Sequence, residues 1–188
     1  GNDTVLVLPD KAPVHNGTQI RTYRINQNAF SGMTNITSVT IPGCVTDIGT
    51  EAFRNCTALE RVVIEQGVQT IAENVFSGCS SIKNLSIPFI GASSSATTAS
   101  RTTVIGYLFG ANNFTGSYKV SQYYSTSFVT YYIPNTLTNV TITDGNIYYG
   151  AFYGCSSLTT ITLHNDIERI GGRAFYGCKN LKSTVIGN

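Results

Sequence analysis

Seven side chains carry most of the reactive chemistry open to this chain: Cys44, Cys56, Cys79, Cys155 and Cys178, with His15 and His164. A thiolate can attack a carbonyl, hold zinc or pair as a disulfide, and an imidazole can activate a nucleophile or ligate a metal. Four of the cysteines are separated by 23, 76 and 23 residues. Such spacing supplies no C-x-x-C pair and no partner His, so four converging zinc ligands are not assembled. Cys44 lies off this register with no nearby His to activate it, and reads as a loop thiol. His164 has Asp166 two residues on, but no nucleophile in register completes a triad, so it reads as an exposed His at a strand end. Neither G-x-x-x-x-G-K-[ST] nor G-x-S-x-G occurs. The sequence therefore assigns no catalytic residue, no metal ligand set and no cofactor, and the chain reads as non-catalytic.

The cysteine spacing belongs to something larger. Ala29-Phe30, Ala52-Phe53, Val75-Phe76, Ala151-Phe152 and Ala174-Phe175 recur with the same 23-residue step, interrupted once. Three residues after each Phe stands Met33, Cys56, Cys79, Cys155 or Cys178, and three further on Ile36, Leu59, Ile82, Leu158 or Leu181. The half-repeat from that aliphatic reads L-x-x-I-x-I, as in "LERVVI" and "IKNLSI"; its closing alternation predicts a short half-buried strand. The other half, "IGTEAF", "IAENVF" or "IGGRAF", predicts a short helical turn closed by Gly32, Asn55, Gly78, Gly154 or Gly177. One such unit cannot bury its own apolar face, so units must stack, with parallel strands about 4.8 Å apart. Each slot then becomes a ladder of like side chains. Thr184, in an inward strand slot of the last turn, marks a weaker position.

The pattern A-F-x-G-C-x-x-L-x-x-I-x-I followed by I-G-x-x-A-F resembles the leucine-rich repeats of the BspA-like, Treponema pallidum-type family over residues 29–88 and 137–188. The resemblance implies a curved right-handed solenoid with a concave parallel sheet and short helical turns opposite, of about six coils. It also implies export to the surface of a bacterium or parasitic protist, and adhesion or surface interaction rather than catalysis.

Stacking settles how the cysteines read. Equivalent cysteines of adjacent coils come within reach, but their Cβ vectors run parallel instead of converging. Met33 in the same slot cannot bridge at all. These thiols are therefore expected to be free and buried as small hydrophobes.

Bulk composition bounds the partners. Twelve basic and ten acidic side chains give a formal net charge of +2, too weak a field to mark a nucleic-acid partner or an anionic membrane. Only 12% of residues are charged, and Ser, Thr, Asn, Gly and Tyr take their place, as on extracellular surfaces. There is no run of about 18 apolar residues to insert into a bilayer, and "GNDTVLVLPD" lacks the basic start of an export signal.

The period fails between the two blocks of repeats. Ile82 and Leu137 are 55 positions apart, either one repeat with 32 extra residues or two with nine. "GASSSATTAS" reads as a polar low-complexity loop, and "VIGYLFG" (104–110) as a half-repeat one residue short, so one degenerate coil is expected here. The runs 118–124 and 128–133 flank Ser125-Thr126-Ser127 and predict a β-hairpin. The chain accordingly divides into an irregular cap or partial repeat (1–28), repeats (29–88), the Tyr/Ser/Thr-rich insertion (89–136) and repeats (137–188), all within one domain.

Two surfaces compete for recognition. Tyr118, Tyr123, Tyr124, Tyr131 and Tyr132 give the hairpin stiff amphipathic rings of the kind favoured at interfaces, unless they only seal the irregular coil. The outward strand positions form a small polar face in which Arg61, Asn84 and Asn139 are candidate contacts, though it lacks an aromatic or arginine cluster. The sequence reading is thus a monomeric, cell-surface or secreted module that binds an extracellular protein or glycan. Its alternative is a structural spacer that presents another domain.

Overall fold

The computed structural model describes residues 4–11, 14–15, 18–19 and 22–186; the side chain of His15 lies outside the described residues. Strands run in the order Thr4–Val7 (β1), Val14–His15 (β2), Thr18–Gln19 (β3), Tyr23–Ile25 (β4), Ile36–Ile41 (β5), Val45–Ile48 (β6) and Arg61–Ile64 (β7). Thr70–Ile71 (β8), Asn84–Ile87 (β9), Ser117–Tyr124 (β10), Ser127–Pro134 (β11), Asn139–Ile142 (β12), Thr160–Leu163 (β13) and Ser183–Ile186 (β14) follow. Seven of them form one parallel sheet in the order β1-β5-β7-β9-β12-β13-β14, so the chain is a parallel β-solenoid of about seven turns rather than six. The extra turn comes from β1, which pairs with β5, while β4 pairs with β6 on a second, three-stranded ribbon β4-β6-β8.

Alternation along each strand is what closes the core. Val62 and Ile64 are buried while Arg61 is exposed, and Leu85 and Ile87 are buried while Asn84 is exposed. Because the strands pair in register, each outward position becomes a row: Ser38, Arg61, Asn84, Asn139, Thr160 and Ser183 stand side by side. On β14, the last strand of the sheet among the described residues, every residue is exposed, Thr184 included.

The half-repeats read as helical turns fold differently. Among the described residues only Ile105–Leu108 is helical, as a single 3-10 turn. Elsewhere the chain makes successive i-to-i+3 turns, with Ala52 N–H bonded to Gly49 O, Arg54 N–H to Glu51 O and Cys56 N–H to Phe53 O. Between those turns it bonds across to the next coil, Phe53 N–H to Val75 O and Asn55 N–H to Ser77 O, so these donors are not free to wind a helix. The fourth residue of each half-repeat turns left-handed, with φ of 57° at Asn28, 56° at Glu51, 62° at Asn74, 66° at Gly150 and 55° at Arg173. A left-handed residue in each unit stops helix propagation after one turn.

Inside, the ladders form. Phe30, Phe53, Phe76 and Phe109 stack with centroids 5.1, 5.8 and 6.3 Å apart, and Phe152 stacks on Phe175 at 5.6 Å. All five cysteines are free thiols. The slot does more than fill space: Cys56 Sγ donates to Phe30 O at 3.2 Å, Cys79 Sγ to Phe53 O at 3.0 Å and Cys178 Sγ to Phe152 O at 3.1 Å. Each of these three thiols thus binds the phenylalanine carbonyl of the preceding coil, while Cys155, beyond the insertion, instead meets Gln122 Nε2 at 3.5 Å.

At the interruption the sheet is continuous, since β9 pairs directly with β12. The 55-residue gap is therefore one repeat carrying 32 extra residues. The turn side takes up the surplus: Phe109 occupies the Phe slot, with Phe76 N–H bonded to Leu108 O, and then β10 and β11 form an antiparallel hairpin that wedges against the next coil. Val120 and Ile133 are buried there, and a side chain at Gly154 would meet Val120 Cγ2 at 2.8 Å.

Candidate interaction surface

The hairpin's alternation divides its tyrosines. Tyr131 points into the solenoid and is only 4% exposed, with its hydroxyl donating to Arg101 O at 2.9 Å. Burial pushes its phenol up to about 12. Tyr118 is half-buried, its hydroxyl 3.1 Å from Ser157 Oγ, and burial likewise pushes it up to about 12. These two pack against the irregular coil, and Tyr131 in particular is buried in the core. Tyr124 and Tyr132 are half-buried.

Tyr123 has a different setting. Its ring packs 5.4 Å from Phe128 on the hairpin and 4.8 Å from Tyr153 on the following coil, and Tyr153 stacks 5.0 Å from Tyr176 on the coil after that. Phe128 is 56% exposed and Tyr176 61% exposed. Four rings thus form a continuous aromatic stripe on the outside, from the hairpin across two coils. Exposed contiguous apolar surface of this kind marks interaction sites.

Phe128, Tyr153 and Tyr176 are absent from the sequence-derived candidates, although a signal was present. The position after each Ala-Phe pair holds Ser31, Arg54 and Ser77 in the early coils and tyrosine only in the two coils beyond the insertion. The stack itself explains the choice, since a ring at that slot finds another ring one coil away.

On the outward sheet face Arg61, Asn84 and Asn139 are brought into one row, with Asn139 Nδ2 donating to Asn84 Oδ1 at 2.8 Å. With Val63, Ser86 and Thr141 they line a shallow hollow of about 200 Å³. The two amides share this one hydrogen bond, and Arg61 is the charged group there. His164 sits at the end of β13, half-buried, and its Nε2 donates to Gly145 O at 2.7 Å. That bond occupies the ring nitrogen on a backbone carbonyl. Among the described residues no three His, Cys, Asp or Glu side chains gather as a metal-binding group, and no helix is long and apolar enough to cross a membrane.

With this geometry in view, the relatives are informative. The model of the BspA type leucine rich repeat region matches residues 18–100 and 117–188 in six copies, and the chain belongs to that family. No curated protein matches it. Among solved structures it is similar to a leucine rich cell surface protein from Faecalibacterium prausnitzii A2-165 at 17% identity, over 100% of this chain and 70% of that one, with a TM-score of 0.38. It is similar to a T. pallidum leucine rich repeat protein at 20% identity, over 96% and 79% of the two chains, with a TM-score of 0.42. The pneumococcal vaccine antigen PcpA is 18% identical over 92% of this chain and 44% of its own length, with a TM-score of 0.38.

Proposed function

We propose that this chain is a non-catalytic interaction module of a bacterial cell surface or secretion product, acting as a monomer to adhere to a host matrix protein, a glycan or another cell. The observation that carries the reading is the exposed stripe Phe128–Tyr123–Tyr153–Tyr176, in which Phe128 and Tyr176 are more than half exposed while every other aromatic ring of the chain is buried or half-buried. Aromatic anchors set in a polar, weakly charged surface are the usual energetic centre of a protein or glycan interface. Family membership supports an interaction module, and the location is proposed from one similar structure, a leucine rich cell surface protein.

A second reading, a spacer that holds another domain away from the cell, is favoured by the burial of Tyr131 and Tyr118. The two are separated by presenting the chain to immobilised matrix glycoproteins and glycans beside the Phe128→Ser/Tyr176→Ser double variant. Both residues are exposed, so melting should be unchanged. Binding by the parent that the variant loses establishes the stripe as the contact; absence of any binding leaves the spacer.

A further inference from the structure

Beside the stripe lies a concavity of about 590 Å³, where the hairpin tip meets the last two turn-side coils. Ser125, Thr126, Tyr148, Tyr149, Arg169 and Ile170 line it. Its volume falls within the roughly 300–1,000 Å³ of small-ligand sites.

The notch is built by departures from the repeat. Where other coils carry Thr50 or Glu73, this one has Gly172, beside Gly171, which keeps the glycine of the repeat as at Gly49 because a Cβ there would meet Tyr149 N at 2.3 Å. The preceding coil places Tyr148 and Tyr149 in the matching slots. The departures are thus Gly172, which lacks the side chain that Thr50 or Glu73 supplies, and Tyr148 and Tyr149, whose rings replace Gly49 and Thr50 and wall the notch. Tyr148 is held by a hydrogen bond from its hydroxyl to Ala96 O.

Its chemistry is asymmetric. Arg169 is the one charged residue in the lining, is exposed, and forms no ion pair among the described residues. The neighbouring carboxylates Asp144, Asp166 and Glu168 line a separate hollow with His164. A planar guanidinium without a partner, two phenols, two aliphatic-alcohol side chains and the apolar side chain of Ile170, 47% exposed, are thereby gathered. Hydroxyl-rich walls with one fork-shaped cation suit a ring that has a carboxylate, polar hydroxyls and an apolar face. Of the residues that line the notch none belongs to a named strand, and Ile170 makes only an isolated bridge to Ile147, so no extended edge is presented for a peptide backbone to join.

We infer that the notch is a binding site for a carboxylated saccharide, with Arg169 pairing the carboxylate and Tyr149 and Ile170 contacting the sugar ring. This rests on the interaction-module reading and names one ligand class for it.

The test is titration of the full chain with 3′-sialyllactose, a hyaluronan tetrasaccharide and neutral lactose, which separates the two sources of carboxylated sugar. At least one acidic probe should bind about tenfold or more tighter than lactose, and Arg169→Ala should lose that difference while Arg169→Lys keeps part of it. Melting temperatures of both variants should match the parent, since Arg169 is exposed. The inference is overturned if neither acidic probe binds, if lactose binds equally, if Arg169→Ala binds as the parent does, or if a glutamate-rich peptide binds as tightly as the sugars. Matrix binding that persists through such a failure, and is lost only in the Phe128→Ser/Tyr176→Ser variant, leaves the broader reading standing.

Discussion

The backbone N–H of Gly106 donates to Gln122 Oε1 at 2.7 Å, and through this bond the hairpin is locked into the solenoid. Gln122 is fully buried, and its Nε2 reaches Tyr153 O at 3.3 Å and Ala151 O at 3.4 Å on the next coil. The coil-to-coil ladder that runs from Phe53 to Val75 and from Phe76 to Leu108 is displaced here, with Ile105 N–H taking Ala151 O instead. A primary amide has both donor and acceptor, so one side chain replaces the missing backbone rungs.

Gln122→Leu keeps the approximate volume but strands the Gly106 N–H, and should lower stability by about 1–3 kcal/mol. Gly106→Ala should also destabilise, because its Cβ would sit 2.5 Å from Tyr131 Cδ2 and 2.6 Å from Gln122 Oε1. Urea unfolding measures both. Two variants as stable as the parent would mean that the hairpin is not anchored at this point.

Much of this fold is written in the 23-residue period, and the parts that are not have physical reasons. Strand alternation, the Phe and Cys ladders and the register of Arg61 against Asn84 follow from repetition alone, since a slot met once is met in every coil, whereas the pairing of Asn84 with Asn139 spans a gap whose length fits one coil or two. The turn side was harder: I-G-x-x-A-F has the composition of a helical turn, and the donors given away to the adjacent coil together with the left-handed fourth residue prevent one. The hairpin's pairing could be read from its β-prone runs, but not which tyrosines it buries. Gln122 sets that phase, and a polar residue in a β-run does not look like a core anchor. Tyr153, Tyr176 and Gly172 lie inside the repeat, where a reading aimed at the interruption passes them over.

Thiol labelling should follow the ladder. Cys56, Cys79 and Cys155 are fully buried, and burial pushes the thiols of Cys79 and Cys155 well above the ordinary range, so thiolate is scarce as well as inaccessible. Cys44 and Cys178 are half-buried, and Cys178 is pushed up to about 11 by burial. With an aromatic disulfide reagent at neutral pH, Cys44 should react first, and Cys56, Cys79 and Cys155 only on unfolding. Rapid reaction of more than the two half-buried thiols in the native chain would contradict the packing.

The left-handed fourth slot offers a stabilising change. Asn or Gly occupies it at 28, 74 and 150, whereas Glu51 and Arg173 adopt φ of 56° and 55° with full side chains. A left-handed residue that is neither costs roughly 1–2 kcal/mol, and Asn recovers part of that. Glu51→Asn loses only a surface ion pair with Arg54 at 3.1 Å, a contact of small worth. Arg173→Asn loses none of the ion pairs formed among the described residues. Each should gain about 0.5–1 kcal/mol, read as a higher urea midpoint at unchanged slope. A lower midpoint in both would show that the side chains, not the backbone, dominate at this slot.

The packed tyrosines give the protein an alkaline limit. Tyr118 and Tyr131 ionise near 12 in the folded chain because burial disfavours the phenolate, against about 10 when unfolded. A raised folded value means that the native state holds its proton where the unfolded state has lost it. The stability these groups contribute is therefore fully present below about pH 10 and is lost as pH rises from there through about 12. Tyr131→Phe removes one of the two ionisations together with the hydroxyl's bond to Arg101 O, so the variant should be less stable at neutral pH yet fall less steeply above pH 10. Phenolate absorbance gives the companion readout: in the folded parent a late-titrating class should appear above pH 11, and one member of it should vanish in Tyr131→Phe. If all eleven tyrosines of the native chain titrate together near 10, the hairpin does not pack against the solenoid in solution, and the division between sealing rings and exposed stripe falls with it.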